Sequence, residues 1–465
     1  MNDADQHYKT QASIFRILGN ENLPRDIPGK RLEILKRICE KEPNFPNTQK
    51  WFVVNKIYSK PYRRTLLETL DRYNAHYITQ YFDWNCKPHL HALRTWGLGV
   101  NQARNIAIQA GKYLSRYAVI LDGDCMFTPD GWEAVYQDIQ QEQYPYLSIP
   151  SKRENTEQLG ECMVAFRDDS TLQFNPGIPF GDKDKLSLLY SLGHATEASD
   201  MTVDGDLTKI SGYVNHLTTG SLDLELSLFA RERARNQSLQ RLVNYMQETP
   251  HVNYQVTGSL MTYYERIPGY FDFAGPYHNF VLDMPDNGHF VEVGTWYGRS
   301  VIYLANQFKA FGKRVRIDCV DTWDGGTDPV LKAQLAQEKG DLFSIFINHV
   351  KATRNQDIIN PVRLLSIEAA KQYEDNSLDV VFIDADHSYK SVMEDLQAWY
   401  PKVKPGGVIA GHDFSFDPNF AHPGVTRAVL EFFQDKPLEI LPAATSWKSV
   451  KYGKEPLLNR KRFWS

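Results

Sequence analysis

Phe290-Val291-Glu292-Val293-Gly294-Thr295-Trp296-Tyr297-Gly298-Arg299-Ser300 is the stretch whose reading decides the fold. Phe290 to Val293 form a short apolar run in which Glu292 is the sole charge. Two glycines then turn the chain, and Ser300-Val301-Ile302-Tyr303-Leu304-Ala305 opens a helix. Strand, glycine turn and helix in that order let backbone N–H groups come close to a bound nucleotide. Gly294 and Gly298 stand where a Cβ would obstruct that approach.

The spacing is not G-x-G-x-x-G, so the dinucleotide fingerprint is absent. Downstream, Val315-Arg316-Ile317-Asp318-Cys319-Val320-Asp321 reads as a second strand ending in a carboxylate. It lies one βαβ unit on, where an acidic residue takes ribose hydroxyls. Asp379-Val380-Val381-Phe382-Ile383-Asp384-Ala385-Asp386-His387 is an apolar run that turns polar at its carboxyl end. Pro405-Gly406-Gly407-Val408-Ile409-Ala410-Gly411-His412-Asp413 does the same. Open α/β sheets bind ligands at such strand ends.

In order and spacing these four motifs resemble class I S-adenosylmethionine-dependent methyltransferases, the first in the form E-V-G-x-x-x-G-x-S. The resemblance covers residues 255–465 and implies a Rossmann-like domain that binds S-adenosylmethionine. It implies Glu292, Gly294, Gly298 and Ser300 at the methionine end and turn of the donor, and Asp321 on the ribose. It implies Ser366 and Glu368, after the third strand, near the adenine. From the residues alone, Ser366 serves equally well as a helix cap with Glu368 in the first turn.

Methyl transfer is an in-line displacement on a sulfonium carbon, and an alcohol acceptor must also lose a proton. Asp384, Asp386, His387, His412 and Asp413 gather at two expected strand ends. Some relatives bind magnesium through an aspartate after the fourth strand and another after the fifth, where Asp384 and Asp413 fall. Such a metal lowers a hydroxyl pKa. The adjacent aspartate or asparagine of those relatives is replaced here by Phe414. The metal-free alternative is His387 or His412 as general base. A third reading has one of them only orienting a carboxylate. Trp296, Tyr297 and Trp323 surround the turn, either as packing or as a cation–π face for the sulfonium.

Length and composition set the outer limits. A chain of 465 residues suggests two or three domains, and 42% hydrophobic residues allow real cores. A net charge of −5 implies no general attraction to nucleic acid. The acidic, polar start is unlike a signal peptide, and no apolar run approaches a membrane span. Cys39, Cys86, Cys125, Cys162 and Cys319 are scattered, without C-x-x-C spacing, so reduced thiols, no zinc site and a cytoplasmic location are expected.

The first half alternates. Strands are expected at Ser13–Asn20, Trp51–Asn55 and His76–Thr79, with helices at Leu32–Ile38 and Thr65–Leu70. This argues α/β with a mainly parallel sheet. A helix, Asn101–Gly111, then leads to an apolar strand ending in Asp122-Gly123-Asp124. Two carboxylates around a glycine can hold a divalent cation that neutralises a diphosphate, with Arg104 as a further positive group.

That pair resembles the donor site of GT-A-type glycosyltransferases, where an aspartate-x-aspartate motif binds Mn2+ or Mg2+ and a nucleotide sugar. Phe15-Arg16-Ile17-Leu18-Gly19-Asn20, Pro24-Arg25-Asp26, Phe180-Gly181-Asp182-Lys183-Asp184-Lys185 and Gly212-Tyr213-Val214-Asn215-His216-Leu217 look similar to a bacterial branch of that superfamily. The resemblance covers residues 10–235. It implies Asn20, Asn55, Arg104, Asn105 and Asp122 on the nucleotide sugar, and Asp122, Asp124 and His216 on the metal. Asp182 and Asp184 are read either as the acceptor-activating base or as a solvated loop.

Residues 221–248 read as one or two helices, and residues 236–254 as a helical linker ended by Pro250. The aromatic, glycine-rich run Pro268–Pro276 leads into the second domain, as a cover for the donor or as part of its core. The expected architecture is α/β: a GT-A-like domain at 10–235, then a Rossmann-like methyltransferase domain at 255–465. The implied activity adds a sugar and caps a hydroxyl of a glycan or glycosylated metabolite. The alternative is small-molecule methylation with a non-catalytic saccharide- or nucleotide-binding first domain.

Overall fold

The computed structural model describes residues 9–21, 26–81, 99–154, 159–178, 185–194, 206–218, 263–325 and 341–452, with isolated positions at Arg233, Gln237, Gln240, Arg241, Asn244 and Lys332. The chain divides into two compact units, Met1–Val252 and Asn253–Pro456. Pro24-Arg25, Cys86, the loop Phe180–Asp184, most of the 221–248 helices and most of the 236–254 linker lie outside the described residues. Among the described residues no helix is long and apolar enough to cross a membrane. Cys39, Cys125, Cys162 and Cys319 are buried free thiols.

In the first unit β1 (Thr10–Leu18), β2 (Thr48–Asn55), β3 (His76–Gln80) and β4 (Ser115–Asp122) are parallel, in the order β3-β2-β1-β4. Most positions of each are buried, the polar Ser13, Arg16, Lys50 and His76 among them, as in strands covered on both faces. The helix Lys30–Lys41 turns Ile34, Leu35, Ile38 and Cys39 inward, one face at helical spacing. The helix Lys60–Arg72 starts at Ser59, whose hydroxyl accepts the Tyr62 N–H, with proline in its first turn. The helix Val100–Leu114 presents Ala103, Ala107, Ala110 and Gly111 to the sheet. A Cβ on Gly111 would overlap that of Ala118 on β4, so small residues set how closely this helix lies.

Beyond β4 the sheet turns mixed. β5 (Cys125–Met126), β6 (Tyr146–Arg153), β7 (Leu159–Arg167), β8 (Thr208–Ile210) and β9 (Val214–His216) follow. β7 lies antiparallel to β4 and to β6, β8 and β9 run parallel to β6, and β5 pairs antiparallel with β9.

The second unit is built on β10 (Gly288–Val293), β11 (Val315–Asp321), β12 (Ile359–Arg363), β13 (Leu378–Ile383) and β14 (Val403–Gly411), all parallel, in the order β12-β11-β10-β13-β14. β15 (Leu438–Leu441) and β16 (Ser446–Val450) finish it, with β16 antiparallel between β14 and β15. Strand order reverses between β10 and β13. At such a switch point the flanking connections leave to opposite faces and open a crevice above the strand ends. Register pairs Val293 with Val320 and Ile383, and Ile383 with Gly411. The next residue of each strand therefore stands at one edge: Gly294, Asp321, Asp384 and His412. Phe273, Tyr277, Phe290 and Phe382 pack on one another in the core below, with Phe273 and Phe382 stacked at 5.0 Å.

Candidate active site at the strand ends of the second unit

The glycine turn after β10 is held from two sides. Asp321 accepts the Trp296 N–H at 2.8 Å through Oδ2 and the Trp323 N–H at 2.7 Å through Oδ1. Trp296 and Trp323 both have positive φ, 54° and 53°. For non-glycine residues that conformation is uncommon, so the carboxylate holds two strained corners. Burial raises the Asp321 pKa, opposed by these N–H donors and that of Thr295.

Glu292 is turned into the interior rather than the crevice. Ser300 donates to its Oε1 at 2.8 Å and Tyr277 to its Oε2. Burial pushes this carboxyl up to about 8, against the two hydroxyl donors that favour its ionised form. Tyr277 has no signal in sequence beyond its place in an aromatic run.

Gly294 and Gly298 have φ of 91° and 87°. A Cβ on Gly294 would overlap the carbonyl of Asp384, and one on Gly298 would stand 2.7 Å from the Phe346 ring. The sequence reading gives these glycines to the approach of a ligand. The structure gives an internal reason: the loops after β10 and β13 touch backbone to backbone.

At the other end of the row, Asp384, His412 and Asp413 converge. His412 Nδ1 lies 3.3 Å from Asp413 and 3.7 Å from Asp384. Its Nε2 lies 2.7 Å from Asp272 and 2.8 Å from the Thr445 hydroxyl. His387 Nε2 is 2.9 Å from Asp413 Oδ2. Burial disfavours the His412 charge, but Asp384 and Asp413 outweigh it and push its pKa up to about 11. His387 is raised as well, the Asp413 hydrogen bond overcoming desolvation. Burial opposes the charge of Asp413, yet the two histidines hold it well below the usual carboxylate range. Asp413 itself adopts φ 57°, which aims its carboxylate back between them.

The run expected to lead into this domain lies along the same edge. Arg299 donates to the Gly269 carbonyl at 2.6 Å, and Asp272 reaches His412. Phe273 is buried, whereas Tyr270 is 88% exposed, so the run is core at one end and surface at the other. Asp272, Thr445 and His422, whose ring lies 4.1 Å from that of His387, are further members of the cluster. They are distant in sequence and carry no motif.

Residues 291–414 match a methyltransferase domain family. That match runs from β10 to the residue after Asp413 and includes the whole row of strand ends. The chain is also similar to the uncharacterized protein y4gI of Sinorhizobium fredii, 29% identical over 142 residues, 30% of this chain and 14% of that protein. It is similar to the uncharacterized protein R132 of Acanthamoeba polyphaga mimivirus, 28% identical over 131 residues, 28% of this chain and 52% of that protein. The chain thus spans about half or less of the length of the curated relatives it matches. Among solved structures, the O-methyltransferase NovP is 19% identical, with 39% of this chain and 80% of that chain covered and a TM-score of 0.32. The O-methyltransferase from Bacillus cereus in complex with SAH is 17% identical, covering 44% and 96%, with a TM-score of 0.30.

Ser366 and Glu368 both have partners within the second unit. The Ser366 hydroxyl donates to Asp395 and accepts from Trp399 Nε1 at 2.8 Å, and it makes no capping bond to its helix. Glu368 stands in the first turn, exposed, and pairs with Lys371 at 2.7 Å. Their neighbours Leu365 and Ile367 are exposed apolar side chains, at 61% and 40%. Of the three aromatics, Trp323 and Tyr297 are buried, and Trp323 donates to the Trp296 carbonyl at 2.9 Å. Only Trp296 is partly open.

In the first unit, Asp122 stands at the end of β4 as expected, but its countercharges come from the chain. Arg104 Nη2 lies 3.0 Å from Oδ1 and Lys185 Nζ 2.5 Å from Oδ2. Burial opposes the Asp122 charge, yet these two cations hold its pKa far below the usual range. Arg104 therefore faces Asp122 and not open space, and it also donates to Asn101 at 2.8 Å. Asp124 points elsewhere, with His216 Nε2 3.5 Å from its Oδ1. Asp122, Asp124 and His216 do not gather within 4.8 Å; among the described residues the groups that do are Asp384–His412–Asp413 and His387–Asp413–His422. Asn20 bridges Lys56 and Tyr58 backbone, Asn105 clips both backbone groups of Phe174, and Asn55 is buried at the end of β2. These are structural placements that the residue types alone do not reveal.

Proposed function

We propose that the second unit is an S-adenosylmethionine-dependent O-methyltransferase acting on a hydroxyl of a glycan or glycosylated metabolite. The supporting observation is the row of strand ends at the switch point. A clamped glycine turn and Asp321 stand at one end, and Asp384, His387, His412 and Asp413 at the other. Asp321 retains acceptor capacity beyond its backbone donors, since an ionised carboxylate offers about four lone-pair sites for ribose hydroxyls. Leu365 and Ile367 offer apolar surface to an adenine. Glu292 acts behind the turn, fixing Tyr277 and Ser300.

Mg2+ fits Asp384 and Asp413. One oxygen of each carboxylate lies within 4.8 Å of the other, close enough to share an ion. When bound, the ion would lower the pKa of an acceptor hydroxyl. His387 is the proton acceptor in this reading, because Asp384 and Asp413 both raise the His412 pKa and favour its charged form. Calorimetry with S-adenosylmethionine, followed by mass spectrometry of candidate acceptors with Mg2+ or with a chelator, tests it. No heat of binding would overturn the donor assignment. Transfer indifferent to chelation would overturn the metal.

For the first unit we infer a nucleotide- or saccharide-binding role, with glycosyl transfer as its stronger form. One observation favours a ligand at Asp124: its Oδ1 is buried and has no hydrogen-bond partner among the described residues. Thermal shift with uridine diphosphate sugars and Mn2+ tests this, and no shift with any common nucleotide sugar would remove it.

A further inference from the structure

The helix Pro423–Phe432 begins with Gly424 pressed against the turn that follows β13. A Cβ on Gly424 would stand 2.6 Å from the Tyr389 nitrogen and 2.8 Å from the His387 carbonyl oxygen. This close approach brings His422, which makes no capping bond to its own helix, beside His387. The two imidazole rings are 4.1 Å apart and inclined at 46°. Asp413 completes the group, and one ligand atom from each of the three lies within 4.8 Å of the others.

The segments that carry them are fixed. Ser415 N–H donates to Thr426 Oγ1 at 3.1 Å, and that hydroxyl returns to the Ser415 carbonyl at 3.0 Å. Phe414 N–H donates to the Thr445 carbonyl at 2.7 Å, and Phe414 and Phe416 are buried. Ligands held by their own packing need little rearrangement to close on an ion.

We propose that His387, Asp413 and His422 bind a first-row transition metal ion of the Zn2+, Co2+ or Ni2+ class, at a position separate from Asp384–His412. Two imidazoles and one carboxylate suit these ions, whereas Mg2+ prefers an all-oxygen shell that keeps several waters. Three protein ligands leave a coordination position for water or another oxygen. Asp413 belongs to both groups, so occupation of one position is felt at the other. The site stands on the three side chains alone; an ion on His387 would occupy the imidazole proposed above as proton acceptor, so it would block that role while bound.

Co2+ titrated into the full chain tests it, read by visible absorption and by calorimetry. The expected result is one equivalent bound with a ligand-field band that excess Mg2+ does not remove. His422→Ala should weaken Co2+ by about 10–100-fold, the scale for losing part of a metal's support. His412→Ala removes a neighbour of Asp413 at 3.3 Å but no ligand of this site, so the Co2+ ligand-field band should persist. His422→Cys, which keeps a ligand, should retain binding and add a thiolate charge-transfer band, so the site is still read if the alanine variant folds poorly. Unchanged Co2+ affinity in His422→Ala, no added band in His422→Cys, or displacement by Mg2+ would overturn the proposal. S-adenosylmethionine binding measured on the same samples reports separately on the donor site.

Discussion

Asp321 accepts the backbone N–H of Trp296 at 2.8 Å across 25 positions of sequence, and Trp296 sits at φ 54°. The carboxylate that the methyltransferase reading gives to the ribose is therefore also the group that keeps the donor turn in shape. Asp321→Ala should weaken S-adenosylmethionine by about 1–3 kcal/mol, the worth of a charged hydrogen bond. It should also lower the melting temperature without ligand, which a purely ligand-facing residue would not do. Asp321→Asn keeps one acceptor and should fall between. Calorimetry and thermal melts on the three proteins check both parts, and an unchanged melting temperature would show that the clamp is not needed.

The two glycines of the turn should respond unequally. Gly294→Ala sets a methyl against backbone, the Asp384 carbonyl, which cannot swing away. Gly298→Ala meets the Phe346 ring, a buried side chain that must move but is not backbone. Positive φ alone costs alanine about 1 kcal/mol at either position. We expect Gly294→Ala to lose more than about 3 kcal/mol, in the range of severe backbone and packing faults, and Gly298→Ala clearly less. Urea unfolding of both variants decides it. Equal losses would mean that the loops after β10 and β13 can part.

The strands within Trp51–Asn55, Tyr117–Asp122, Phe290–Val293 and Asp379–Ile383 were legible because each carries an apolar run, whereas β12, Ile359-Asn360-Pro361-Val362-Arg363, carries none. Such a run follows from burial on both faces. Asp384, His412 and Asp413 were legible as a cluster because register alone lines up the strand ends. Side-chain direction was not legible. Nothing in Leu364-Leu365-Ser366 says that Ser366 turns inward to Asp395 and Trp399, 29 and 33 positions on. The same holds for Asp122. A strand ending in two carboxylates suggests a bound cation until Lys185, 63 positions later, supplies the charge.

The Glu292 carboxyl makes stability depend on pH. Its pKa is about 8 when folded, against an ordinary 4.5. Between those values the folded state holds a proton that the unfolded state has released. Stability is therefore greatest below the unfolded pKa, falls as pH rises through the window, and is flat above it. Glu292→Gln stays neutral and should lack this slope. From pH 5 to pH 8 the parent should lose roughly 2–4 kcal/mol more than the variant, since each tenfold difference in proton affinity between the two states is worth about 1.36 kcal/mol. Denaturant unfolding at the two values measures it, and parallel losses would show that Glu292 ionises normally inside its ring of hydroxyls.

In the first unit the two aspartates should separate cleanly. Asp122 neutralises Arg104 and Lys185, both almost fully buried. Asp122→Ala takes this carboxylate from Arg104 and leaves Lys185 with Glu161 at 3.3 Å, and should cost about 3–5 kcal/mol, the penalty for breaking a buried pair from one side. Added Mn2+ should not restore this, because a second cation cannot replace the missing anion. Asp124 has a buried oxygen with no hydrogen-bond partner among the described residues, and its closest ion-pair partner is His216 at 3.5 Å. Asp124→Ala should therefore cost at most about 1 kcal/mol. If a cation and nucleoside diphosphate bind there, the same substitution should abolish the thermal shift that they produce together. It should leave S-adenosylmethionine binding intact, since the two sites lie in different units and sites without shared partners act independently. Melts of both variants with Mn2+, with uridine diphosphate and with the two combined give the comparison. A nucleotide shift that disappears in Asp122→Ala but survives in Asp124→Ala would move the ligand to Arg104 and Lys185 and end the case for a metal at the strand end.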